Sequence, residues 1–192
     1  MSYKLETGYL KVILGSMFAG KTSELIKEYN KHTACGFKCC IINHSLDNRY
    51  GTDETTMATH NNKKVECKSC CKLSDIFGEN YEHKIIDMYD VFLINEGQFF
   101  EDLYECVDSF VNKKNKKVYV CGLDGDYKRK KFGSILDIIP LSDDIVKLKG
   151  ICRECCFKEA IFTHRITTEK EQTVISCDVY NSLCRKCYND AN

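Results

Sequence analysis

The sequence predicts an α/β fold, a mostly parallel sheet of buried strands alternating with helices, with a small cysteine-bound lobe at its C-terminal end. Three observations carry this. Apolar runs of strand length alternate with stretches of helical spacing, which implies parallel strands joined by right-handed crossovers. Gly15-Ser16-Met17-Phe18-Ala19-Gly20-Lys21-Thr22 sits where the first strand meets the first helix, and it fits G-x-x-x-x-G-K-[ST], the phosphate-binding P-loop. From about Lys149 the alternation stops, and Cys152-x-x-Cys155 and Cys184-x-x-Cys187 bracket a polar segment. The expected division is a P-loop NTPase-type nucleotide-binding domain over residues 1–148 and a zinc-binding lobe over 149–192.

Each element has its own reason. Leu10 to Leu14 reads as a short buried strand, and Ser23 to Tyr29 as the helix after it. Gly15 and Gly20 let the loop backbone curl so that its N–H groups face inward. The helix start adds unpaired N–H groups and the positive end of its dipole to the same anion site. Lys21 is expected to reach the β- and γ-phosphates of ATP, and the Thr22 hydroxyl to face Mg²⁺. Phe37 to Asn43 reads as a second strand, and the polar run Asp47 to Asp53 as a loop. A short helical segment is expected near Leu73 to Phe77. Asp90-Val91-Phe92-Leu93-Ile94 is the clearest buried strand and ends at Asn95-Glu96-Gly97-Gln98. Leu103, Val107, Phe110 and Val111 share one helical face over Glu101 to Val111. Lys113 to Lys117 is a solvated charge run, and Val118 to Leu123 another buried strand.

Composition narrows the function classes. Hydrophobic residues make up 43% of the 192, enough for a packed core. Lys+Arg and Asp+Glu are both 28, and this zero balance weighs against a dedicated nucleic-acid binder. No apolar run approaches a membrane span. The first residues, Met1-Ser2-Tyr3-Lys4-Leu5-Glu6, lack a secretory apolar core, so a cytoplasmic protein is expected. In a reducing compartment the 14 cysteines are packing residues, metal ligands or reactive thiols. Cys39, Cys40, Cys106 and Cys121 lie in or beside apolar segments and read as small core residues.

A P-loop needs an acidic group at the end of a neighbouring strand to manage Mg²⁺. The strand ending at Ile94 presents Asn95 where a carboxylate is expected, followed at once by Glu96. An amide supplies no charge, and Mg²⁺ prefers carboxylates, phosphates and water. Two readings stay open: Glu96 is the working carboxylate, or the site is a weakened nucleotide binder. Glu96 also suits proton acceptance from a hydroxyl nucleophile. The two C-x-x-C pairs signal zinc. Each tight turn sets two thiolates on one ion, so Cys152, Cys155, Cys184 and Cys187 would close a structural tetrahedron. Cys156 is a spare, and Cys67-x-x-Cys70 with Cys71 reads as a redox or incidental group.

With these residues in place, the chain resembles one family, the cellular-type (type II) thymidine kinases of animals, bacteria and large DNA viruses. The resemblance rests on Gly15 to Thr22 followed by Ser23-Glu24-Leu25, on Asp47-Asn48-Arg49-Tyr50, and on Glu96-Gly97-Gln98-Phe99-Phe100. It continues through Leu123-Asp124-Gly125-Asp126-Tyr127, Lys128-Arg129-Lys130, Phe132-Gly133 and Val146-Lys147-Leu148. The first cysteine pair, Arg165, Thr168-Glu169-Lys170-Glu171 and Tyr180-x-x-x-Cys184-Arg185-x-Cys187-Tyr188 complete it in order. The resemblance implies ATP- and Mg²⁺-dependent phosphorylation of the 5′-hydroxyl of thymidine, a salvage step for DNA synthesis, by a cytoplasmic homotetramer with structural zinc. It implies Glu96 as the catalytic base. It implies nucleotide contacts from Gly15, Ser16, Met17, Phe18, Ala19, Gly20, Lys21 and Thr22, with Asp47, Asn48, Arg49, Asn95 and Gln98. Met17, Phe99, Leu123, Tyr127, Phe132, Thr163, Val174, Ile175, Ser176 and Tyr180 carry over as the nucleoside pocket. The segment Thr163 to Cys177 would close over the nucleoside and read the base edge through its backbone.

Three departures bear on these expectations. Asn95 replaces the family's Asp, which predicts a raised Mg²⁺ requirement. Tyr127 replaces a Phe, which adds a hydroxyl to the expected pocket. Ser176 and Cys177 replace paired glycines and would be strained if those glycines adopt positive φ. A loop that closes differently for that reason predicts a shift of selectivity towards deoxyuridine or deoxycytidine. A zinc-bearing nucleic-acid ATPase and a catalytically dead nucleotide sensor are the rival classes; neither explains the full set of segments.

Overall fold

Strand β1 (Tyr9–Gly15) enters the P-loop, and α1 (Lys21–Ala34) leaves it. The helix opens at Gly20 and extends beyond the expected Tyr29. It ends where the amides of Cys35 and Gly36 bond back to His32 and Thr33. β2 (Cys39–His44) follows, then β3 (Thr56–Ala58), β4 (Lys64–Glu66) and β5 (Lys68–Cys70). α2 (Ser74–Phe77) and a 3₁₀ turn at Lys84–Met88 lead to β6 (Val91–Ile94). α3 (Leu103–Asp108) widens into a π turn over Ser109–Lys113, so the expected helix to Val111 is two pieces. β7 (Lys117–Gly122) and β8 (Asp144–Leu148) complete the main sheet. The computed structural model describes residues 6–47, 56–58, 64–174, 176 and 178–192.

Among the described residues six strands form one sheet in the order β5-β2-β6-β7-β1-β8. All of its pairings are parallel. Alternation along the strands sorts side chains to two faces. Leu10, Val12, Ile42, Phe92, Ile94, Val118 and Val120 face a core closed by Phe77, Phe100, Leu103, Val107 and Phe110. Ile13, Ile41, Leu93 and Tyr119 face the other way, against Leu25 and Ile26 of α1. Central parallel strands are covered on both faces, which is why they read as continuous apolar runs. Cys40, Cys106 and Cys121 are buried as small core residues, while Cys39 is half-buried. The edge strands β5 and β8 were not evident in the sequence, because each has one hydrogen-bonded neighbour and a mixed pattern.

After β8 come two short antiparallel pairs. β9 (Gly150–Ile151) pairs with β10 (Glu159–Ala160), and β11 (Phe162–Arg165) with β12 (Tyr180–Leu183). α4 (Arg185–Asp190) follows. Their core is small: Cys152, Ala160, Leu183, Cys184 and Tyr188. Among the described residues no helix is long and apolar enough to cross a membrane.

Candidate active site

Strand ends gather at the carboxyl edge of the sheet, where open α/β sheets hold ligands. β1 delivers the P-loop, β2 leads to Asp47, β6 to Glu96 and β7 to Leu123. With segments of the C-terminal lobe they line a cleft whose empty volume, open solvent included, is about 920 Å³.

The P-loop end is built for an anion. Gly15 has φ 152°, and a Cβ there would stand 2.6 Å from the Leu148 carbonyl oxygen. Gly20, at φ 83°, starts α1 without a side-chain cap, so the first-turn N–H groups keep their donor capacity. The Lys21 ammonium is buried and donates to the Ser16 carbonyl at 2.8 Å. The Ser16 hydroxyl is buried with no hydrogen-bond partner among the described residues. Phe18 adopts φ 61°, left-handed for a non-glycine residue. Such a donor set fits phosphate oxygens. Met17, Phe18, Gly20, Lys21 and Thr22 reach the cleft wall; Gly15, Ser16 and Ala19 form the turn without lining it.

Asn95 is 1% exposed and does not line the cleft. Its Nδ2 donates to Asn43 Oδ1 at 2.8 Å and to Asp47 Oδ2 at 3.4 Å. Its Oδ1 accepts from the Cys121 thiol at 3.0 Å and from the Thr22 hydroxyl at 3.5 Å. Position 95 is thus a buried junction that uses both ends of the amide, and a carboxylate has no donors for it. Asp47, which does line the cleft, places a carboxylate beside the same point. Asn48 and Arg49 lie outside the described residues.

Glu96 is buried and left-handed, with φ 53° and ψ 43°. Its Oε2 accepts from Gln98 Nε2 at 2.6 Å, and Gln98 Oε1 accepts from the Leu123 amide at 2.9 Å. Gln98 is itself buried and off the cleft wall, where its amide bridges Glu96 and the Leu123 backbone.

The apolar half assembles as a unit. Met17, Phe99, Leu123, Tyr127, Phe132, Thr163, Val174, Ser176 and Tyr180 all line the cleft. The Phe99 and Phe132 rings meet edge-on at 5.5 Å. Ile175 and Cys177 lie outside the described residues. Tyr127 lines the cleft, and its hydroxyl donates to the Lys170 carbonyl at 3.0 Å. Leu46, Asp126, Gln172 and Thr173 also line the cleft. Gln172 and Thr173 lie in the segment expected to close over the nucleoside but carry no pattern that singles them out, Asp126 was read only as part of a motif, and sequence reasoning missed Leu46.

The sulfur atoms of Cys152, Cys155, Cys184 and Cys187 lie within 4.8 Å of one another. Among the described residues this is the one cluster of three or more such ligand atoms close enough to share an ion. Burial works against ionisation of Cys152, yet backbone N–H groups, that of Cys155 foremost, hold its thiol down to about 6. Burial and the neighbouring thiols push Cys187 up to about 12. Four thiolates this close repel one another, and a divalent cation lets all of them ionise; the set fits zinc. Cys67 and Cys70 are buried, and burial pushes the Cys70 thiol up to about 12, which makes it a poor nucleophile.

The thymidine kinase family model matches residues 8–188. The chain is 41% identical over 185 residues to the thymidine kinase of variola virus (isolate Human/India/Ind3/1967), covering 96% of this chain and 98% of that one. It is 40% identical over 182 residues to the cytosolic thymidine kinase of Homo sapiens, covering 94% and 73%. The cytosolic thymidine kinase of Gallus gallus is 38% identical over 182 residues, covering 94% and 77%.

Proposed function

The chain belongs to the thymidine kinase family, and on that premise we propose that it transfers the γ-phosphoryl group of ATP to the 5′-hydroxyl of thymidine with Glu96 as the base. One observation carries the reading. Lys21 and Thr22 of the P-loop, the Glu96 carboxylate and the aromatic wall of Phe99, Tyr127 and Phe132 line a single cleft.

The P-loop amides and Lys21 hold the phosphates and offset the charge that gathers on the transferred group. The apolar wall takes a flat methylated pyrimidine and brings its 5′-hydroxyl towards Glu96. The new bond joins O5′ to Pγ, the bond from Pγ to the bridging oxygen breaks, and ADP leaves. The hydroxyl proton goes to the Glu96 carboxylate, which Gln98 orients. Mg²⁺, with Thr22 and Asp47 placed to hold it directly or through water, would neutralise phosphate charge. Zinc on the four cysteines would be structural, since a closed tetrahedral site leaves no position for substrate. We assign the chain to the cytoplasm, to nucleotide salvage for DNA synthesis and to a homotetramer on the family resemblance.

A coupled assay across thymidine, deoxyuridine, deoxycytidine and no acceptor tests the substrate, with thymidine expected to give the highest kcat/KM. Because the Tyr127 hydroxyl bonds to backbone outside the base wall, it gives no reason for selectivity to shift. Glu96→Gln is expected to lower kcat about 10²- to 10⁴-fold with nucleotide binding retained. Unchanged kcat with a raised KM for ATP would assign Glu96 to the metal and place the base elsewhere.

A further inference from the structure

The loop between β11 and β12 carries Gln172, Val174 and Ser176 to the cleft, yet it has little apolar burial to hold it there. Residues 166–173 are all exposed, and Ile166 is 53% exposed. Its position is set by polar contacts, and these converge on one side chain. Arg165, 5% exposed, donates through Nη1 to the carbonyls of Glu169 (3.1 Å) and Glu171, and through Nη2 to that of Gln172 (3.0 Å). Nη2 also donates to the Tyr180 hydroxyl at 2.6 Å, and that hydroxyl donates to the Val174 carbonyl at 3.1 Å. The guanidinium lies 3.8 Å over the Tyr127 ring, whose hydroxyl donates to the Lys170 carbonyl. Gln172 Nε2 donates to Asp126 Oδ2 at 2.8 Å, and the other Asp126 oxygen is held by the amides of Lys128 and Lys130.

We propose that Arg165 is a latch, a positioning residue that holds the loop against Tyr127 and Tyr180 and thereby sets affinity for the nucleoside without touching it. Burying a guanidinium costs free energy, and here the charge is matched by carbonyl oxygens of the loop it fixes. Tyr127 is the second half of the device: it lines the cleft, and its hydroxyl ties down the loop. Only closed molecules present the full wall, so opening the loop dilutes the binding-competent fraction and weakens apparent affinity in proportion. Arg165 does not line the cleft, so the chemical step is spared. The inference rests on the reading that this loop covers the nucleoside.

The test compares the full-length wild type with Arg165→Met, Arg165→Lys and Tyr127→Phe. Amide hydrogen exchange is measured without substrate, and KM for thymidine, KM for ATP and kcat are measured separately. Arg165→Met is expected to raise exchange across 166–174 with β1, β6 and β7 unchanged. It should raise the KM for thymidine about tenfold to a hundredfold, from the loss of several charge-assisted hydrogen bonds, with kcat and the KM for ATP within about twofold. Arg165→Lys should recover part of the loss. Tyr127→Phe, which removes one exposed hydroxyl and keeps the ring, should move the same two quantities by less. Unchanged loop exchange in both Arg165→Met and Tyr127→Phe overturns the latch. So does an equal loss in both KM values, which would mark a general structural role. If Arg165→Met does not fold, Arg165→Lys decides in its place, and unchanged loop exchange and KM for thymidine in it overturn the latch. Wild type that fails to phosphorylate thymidine would overturn the functional reading, while the exchange data would still decide whether Arg165 fixes the loop.

Discussion

Glu96 and Asn95 are neighbours with opposite problems. Glu96 holds a left-handed backbone that costs a non-glycine residue on the order of 1–3 kcal/mol. That strain turns its carboxylate into the cleft instead of along β6, where Gln98 then fixes it. Asn95 is unstrained and fully used. Changing it to Asp would remove the donors to Asn43 and Asp47 and set a second carboxylate beside the Asp47 one. Asn95→Asp is therefore expected to lower Tm when Mg²⁺ is chelated and to regain much of that loss when Mg²⁺ is added. The wild type should show little such dependence. The measurement is thermal melting with and without chelator; equal Tm shifts in both proteins would remove position 95 from the metal's surroundings. An effect of this size follows from leaving buried polar groups unpaired, about 1–3 kcal/mol each.

At the scale of elements, the C-terminal lobe reaches into the P-loop. Thr163 Oγ1, on β11, accepts from the Met17 amide at 3.0 Å. The Arg153 guanidinium, between Cys152 and Cys155 of the cysteine cluster, lies 3.9 Å over the Phe18 ring. Phe18 is itself in a left-handed conformation that needs outside support. β11 is held by β12, and β12 runs directly into Cys184. Loss of zinc should therefore be felt at the nucleotide end as well as in the lobe. Cys152→Ser is expected to lose zinc by elemental analysis, where the wild type should show one ion per chain, and to melt at lower temperature. It should also bind a fluorescent ATP analogue about tenfold more weakly, the scale of one buried hydrogen bond plus one cation–π contact. Zinc loss with unchanged analogue binding would uncouple the lobe from the P-loop.

For the molecule as a whole, two buried histidines make stability depend on pH. His32 bonds to the Tyr119 hydroxyl at 2.7 Å between α1 and the sheet. Burial lowers its pKa, and Lys117 adds to this. His44 packs on Phe99 and Phe100, accepts from the Leu46 amide through Nδ1, and is also lowered by burial. Both are thus favoured neutral in the folded state, and the unfolded chain binds protons more readily. Their contribution is complete above the unfolded histidine value of about 6.5, and it is lost as pH falls from there through the depressed folded values. Tm should fall between about pH 7 and pH 5, with a shallower slope in His32→Gln and in His44→Gln. An equal slope in all three proteins would assign the acid sensitivity to other groups.

Local order and local spacing were enough to read the P-loop, the paired C-x-x-C turns, the buried strands and the Glu96 segment. Each depends on residues a few positions apart, and a phosphate cradle, a metal knuckle and a core strand leave dense local patterns. Tertiary structure alone decided whatever depends on residues distant in sequence meeting. The chain cannot announce that Asn95 is closed off by Asn43, Asp47, Thr22 and Cys121, because these arrive from different elements. Nor can it announce that the Tyr127 hydroxyl points to the loop instead of the pocket, or that Gln98 serves Glu96. Edge strands β5 and β8 leave a weak signature, β5 because it is only three residues long and β8 because three of its five residues are exposed, which erases the apolar pattern. A side chain's type sets what it can do; the direction its backbone gives it and the partners already using its atoms set what it does.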